Sequence, residues 1–278
     1  MAAQKEKSGG VADEFFIGYR DYIPQTYRLP VLMGIVLIAV VFAVAAWIWV
    51  SQQKPFATAT FELGKPTVLK GLVFQKPVPA IRVVSGRDFL GNQVYQTIPL
   101  INFGKFGASG LLMEYEQKIG KPLSEGEISL EGTLIYRDGK TLFELTKRSE
   151  ALKGFSDDIS LYDKSLRQFT TVSMGEAELS GEIVDPKCYF GVMKPGQGKP
   201  HRACASLCIR GGIPPVFVTI GENGEPNYFL LLGANGEMVN EKVLDYVAVP
   251  SRIRGKIIQA DDWFIIYANP ETDIHPIL

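Results

Sequence analysis

Leu69-Lys70-Gly71-Leu72-Val73-Phe74 and Leu179-Ser180-Gly181-Glu182-Ile183-Val184 are two strands with a glycine at the same place in each. A second pair follows the first at a similar distance. Leu130-Glu131-Gly132-Thr133-Leu134-Ile135, with Asp138-Gly139 and an apolar strand after it, resembles Ile253-Arg254-Gly255-Lys256-Ile257-Ile258, which is followed by Asp261-Asp262 and Trp263-Phe264-Ile265-Ile266-Tyr267. Both members of this pair read as hairpins, and Asp-Gly is the stronger turn signal. A glycine inside an alternating strand marks a sharp bend, the kind a small closed barrel needs. The expected fold is therefore mainly β, with two small OB-like barrels at residues 56–145 and 171–278 and Ig-like sandwiches as the alternative. Between them, residues 146–170 space their charges among apolar residues and are expected to form a helical connector.

Composition agrees with this class. The chain has 278 residues, with 28 glycines, 17 prolines and 11% aromatic residues, which favours many short strands over long helices. With 29 basic against 30 acidic side chains the formal net charge is −1, so bulk charge points to no nucleic-acid partner.

N-terminal to the barrels, residues 29–50 read LPVLMGIVLIAVVFAVAAWIWV without a single charge. About 20 such residues suffice to cross the hydrocarbon core of a bilayer, so this segment is expected to be a transmembrane helix. Tyr27, Trp47 and Trp49 suit its two interfaces. A cleaved signal peptide fits poorly, because a polar and aromatic arm precedes the segment and no small-residue cleavage site follows it. Lys5, Lys7, Arg20 and Arg28 stand on one side, Lys54, Lys65 and Lys70 on the other. That slight bias, with all three cysteines in the C-terminal part, places the arm (residues 1–28) in the cytoplasm and the barrels in the periplasm, anchored to the inner membrane. In the arm, Phe15, Phe16, Tyr19 and Tyr22 cluster at near-helical spacing, as partners for the bilayer or for other subunits of a membrane complex.

The chain has three cysteines and two histidines, and four of these five fall in the run Cys188-x12-His201-x2-Cys204-x3-Cys208. Imidazole and thiolate are donors that zinc, copper and iron prefer, so these four are the expected ligands of one transition metal, with Met193 as a fifth soft donor. Positions 201, 204 and 208 share a face if the segment is helical, with Pro200 at its start and Gly211-Gly212 at its end. Two other readings stay open: a structural disulfide with a leftover thiol, and a thiol-exchange site activated by Lys187, Arg202 and Arg210. Asp185 reads as a strand-end turn residue or as an orienting partner of His201.

The residues Gly181-x-Ile183-Val184-Asp185, Cys188, Gly198, His201-x-x-Cys204-Ala205-x-x-Cys208 and Gly212-Ile213-Pro214-Pro215 together resemble a small exported bacterial domain of largely unassigned function, over residues 177–270. The resemblance implies that the cluster is a unit of that domain. The first repeat carries Gln75-Lys76-Pro77-Val78-Pro79-Ala80 at the corresponding place, without Cys or His, so the barrel itself does not require the cluster. The glycine-rich run 191–199 fails as a phosphate loop, since Pro200 stands where Ser or Thr should follow Lys199. No Gly-x-Ser-x-Gly elbow is present. The expected role is an accessory or electron-transfer subunit rather than an enzyme, and a scaffold stapled by a disulfide is the alternative.

Overall fold

The computed structural model describes residues 25–52, 59–167 and 170–277, and the chain divides into two units, residues 1–55 and 56–278. The described residues of the first unit form one helix, α1 (Gln25–Gln52), which encloses the expected span. It is long and apolar enough to cross a membrane, and its apolar residues are exposed on every face, as a lipid-facing helix requires. Phe15, Phe16, Tyr19 and Tyr22 lie outside the described residues.

The second unit is two closed five-stranded barrels. In chain order the first comprises β1 (Thr60–Phe61), β2 (Thr67–Phe74), β3 (Ala80–Arg87), β4 (Gln93–Asn102), β5 (Phe106–Gly107), α2 (Ser109–Ile119), β6 (Glu127–Arg137), β7 (Lys140–Leu145) and β8 (Leu152–Ser156). Its ring runs β2-β3-β4-β7-β6 and back to β2, with β4 and β7 parallel and the other pairs antiparallel. The second comprises β9 (Thr171–Val184), α3 (Arg202–Arg210), β10 (Val216–Ile220), β11 (Pro226–Leu232), β12 (Pro250–Ala260), β13 (Trp263–Tyr267) and β14 (Ile274–Pro276). Its ring, β9-β10-β11-β13-β12 and back to β9, has the same order and the same single parallel pair. This is OB-like topology twice over.

The strand glycines explain how such small rings close. A Cβ on Gly71 would lie 2.1 Å from the Arg82 carbonyl oxygen, and one on Gly181 would lie 2.2 Å from that of Val218. Arg82 and Val218 hold the same register in the two barrels, opposite Leu72 and Glu182. Only glycine permits that approach of one strand to its neighbour's backbone.

The connector differs from expectation. Residues 148–151 and 164–167 form short 3-10 turns, and β8 lies between them, paired with β6. Leu152 and Phe155 pack against the first barrel's core, while Lys147 and Lys153 both reach Glu131. The spaced charges thus belong to a strand edge and its turns, where sheet pairing outweighs a local helical pattern. The first barrel accordingly extends to Ser156.

The two barrels grip each other through equivalent hairpin turns. Asp138-Gly139 joins β6 to β7 and Asp261-Asp262 joins β12 to β13; Asp138 and Asp261 both have positive φ, 48° and 55°. Thr97 and Tyr228 occupy equivalent registers on β4 and β11. The Tyr228 hydroxyl donates to Asp138 Oδ2 at 2.7 Å, and the Thr97 hydroxyl donates to Asp261 Oδ2 at 2.7 Å. The Lys140 ammonium sits 5.3 Å from the centroid of the Trp263 ring, two residues that each begin the strand after the turn. Trp263 also donates its indole N–H to the Thr97 carbonyl at 3.0 Å. One asymmetric element is added: Arg82, buried between the Phe74 and Tyr95 rings, forms an ion pair with Asp261. An apolar core including Ile101, Ile135, Leu142, Phe190, Leu230 and Trp263 continues from one barrel into the other.

Candidate metal centre

The cluster is an insertion between the first and second strands of the second barrel, where the first barrel has only the short link from Phe74 to Ala80. Pro186 ends β9 because it cannot donate to a sheet ladder. Asp185 then accepts a hydrogen bond from the Lys187 amide at 3.0 Å on Oδ1, which turns the chain into a single π turn at Cys188–Val192. Gly196 folds back so tightly that a Cβ there would lie 2.7 Å from the Cys188 carbonyl oxygen. The Gly198 amide donates to Glu182 Oε1 at 2.7 Å, which ties this loop to the barrel. A 3-10 turn at Lys199–His201 leads into α3, which ends at Gly211-Gly212 as its sequence signals imply. Asn240 fixes the far end by donating to the carbonyls of Ile209 at 2.6 Å and Ile213 at 2.7 Å.

These turns gather the predicted residues. One donor atom from each of Cys188, Cys204 and Cys208 lies within 4.8 Å of the others, and so do donors of Asp185, Cys188 and His201. Met193 Sδ is 3.7 Å from Cys204 Sγ. His201 joins the second group rather than completing one four-atom shell with the three cysteines. The reason is local: it closes the 3-10 turn ahead of α3, so the helical face shared by Cys204 and Cys208 does not extend back to it. Asp185 is more than a turn residue, since its carboxyl is a member of the cluster. The three cysteines are free thiols.

The site's electrostatics suit a cation. Asp185 is fully buried, and His201 is 3% exposed. His201 Nε2 has no hydrogen-bond partner, and the buried Asp185 carboxyl meets only the thiols of Cys188 and Cys208 and the Lys187 amide. Buried polar atoms rarely stay unpaired, and an absent ion is one of the standing explanations. Burial raises the pKa of Asp185, opposed by the neighbouring thiols of Cys208 and Cys188, the Lys187 amide and His201. The Cys188 thiol is pushed up by its hydrogen bond with Cys208, by burial and by the Asp185 carboxylate. A bound cation inverts this balance by favouring the ionised forms.

The first barrel walls the site, and nothing in the sequence around the cluster announces this. The Gly107 amide donates to the Gly211 carbonyl at 2.9 Å, and a Cβ on Gly211 would collide with the Lys105 carbonyl at 1.7 Å. Lys105 Nζ stands 3.6 Å from Cys204 Sγ. Lys187, though adjacent to Cys188 in sequence, is turned away: its ammonium donates to Glu144 in a buried ion pair and to the Gly104 carbonyl at 2.5 Å. Arg202 donates to the Asp245 carbonyl at 2.9 Å, and Arg210 lies 3.8 Å from Glu241. Lys187, Arg202 and Arg210 are thus engaged with other groups, and the cation beside a cluster sulfur is Lys105, next to Cys204. No family model, curated protein or solved structure matches this chain.

Proposed function

We propose that this chain is a single-pass, membrane-anchored accessory subunit of a membrane complex, one engaged in electron transfer, whose second barrel holds a transition metal through Cys188, His201, Cys204, Cys208 and Asp185. The observation that carries this reading is the convergence of the buried Asp185 carboxyl, the buried His201 imidazole with an unpartnered Nε2, and the three thiols into donor groups within 4.8 Å. A carboxylate, an imidazole and thiols converging in one buried place form a donor set for copper, zinc or iron. The slight excess of basic residues in the arm, with all three cysteines in the C-terminal part, supports placing the cluster outside the inner membrane and the arm in the cytoplasm. Phe15, Phe16, Tyr19, Tyr22 and the α1 helix would then meet the bilayer and the other subunits.

A non-enzymatic scaffold is the second reading, favoured by one observation: the three sulfurs lie within 4.8 Å of each other, which makes them candidates for a cross-link. Alkylation separates the two. Cys204 is only half-buried, so in the reduced chain its labelling is expected to slow at least tenfold when zinc, copper(I) or iron(II) is added. Equal rates with and without all three metals would contradict the metal reading. For orientation, a reporter active only outside the cytoplasm and fused after Leu278 is expected to be active. Silence there, with activity of a cytoplasmic reporter at the same place, would reverse the proposed topology.

A further inference from the structure

We infer that the cluster holds two divalent cations bridged by the Cys188 thiolate. This deepens the metal reading above and rests on it. The donors form two groups of three with one shared atom, Cys188 Sγ. Two ions sharing that sulfur would each have three protein donors: Cys188, Cys204 and Cys208 for one, Asp185, Cys188 and His201 for the other. Met193 Sδ, 3.7 Å from Cys204 Sγ, stands beside the sulfur-rich ion, while the second ion keeps a fourth position for water or an outside ligand.

As the metal–sulfur bonds form, the thiol protons pass to buffer.

The test uses the full-length chain in detergent, reduced and metal-stripped, titrated with zinc and counted by mass spectrometry under native conditions. Two zinc ions per chain are expected in the parent and one in both His201→Ala and Asp185→Asn, with binding to either site at least tenfold weaker in Cys188→Ser. Cobalt(II) supplies a readout that does not depend on any variant folding. Two cobalt ions joined through one thiolate couple magnetically, so the electron-spin count per cobalt in the fully loaded parent should fall below that of a half-loaded sample. One ion per chain in the parent, or an unchanged spin count per cobalt on full loading, would overturn the bridged pair while leaving the metal reading intact. No bound zinc or cobalt would overturn both.

Discussion

Replacing Asp261 with Ala is expected to destabilise the paired barrels by about 3 to 5 kcal/mol, because it removes the carboxylate that pairs with the buried Arg82 guanidinium. The side chains of Arg82 and Asp261 are 0% and 2% exposed, so solvent screens this pair hardly at all. The loss is compounded by two donors: the Thr97 hydroxyl at 2.7 Å and the Tyr95 hydroxyl at 3.2 Å both lose their acceptor. For a unit of this size the change corresponds to a fall in Tm of roughly 6 to 20 °C. The double replacement Arg82→Met with Asp261→Leu should recover much of the loss, since removing both charges leaves none uncompensated. Thermal unfolding followed by circular dichroism checks both. An Asp261→Ala protein as stable as the parent would mean that the Arg82–Asp261 pair contributes nothing to holding the barrels together.

The second large effect concerns the cluster. Cys188→Ser is expected to remove most bound metal, because Cys188 belongs to both donor groups, and His201→Ala is expected to lower the metal content without changing the number of free thiols. A stapled scaffold predicts a different ranking. There Cys188→Ser would cost a cross-link worth about 2 to 4 kcal/mol, whereas His201→Ala would alter neither metal nor thiols. Metal analysis and thermal stability of the two variants side by side distinguish these outcomes.

Much of this architecture can be read in the residues, and the failures have physical causes. The strand glycines and the Asp-Gly hairpin report local geometry, a backbone approach and a positive φ, so they mark both barrels directly. Residues 146–170 mislead because β8 owes its conformation to pairing with β6, a partner distant in sequence. In the cluster, Cys188, Cys204 and Cys208 are brought together as their spacing implies, while His201 is shifted by a 3-10 turn that leaves no clear trace in the pattern. Asp185 carries a signal, three positions before Cys188, but Asp before Pro is also an ordinary turn. Lys105 and Glu144 carry none, because only the docking of the first barrel brings them to the site.

If the Cys/His/Asp cluster is a metal site, the full-length chain purified without chelator under argon should carry bound transition metal, and a thiol count in denaturant on the same sample should give three titratable thiols per chain. One disulfide, a single free thiol and no metal would contradict the metal reading.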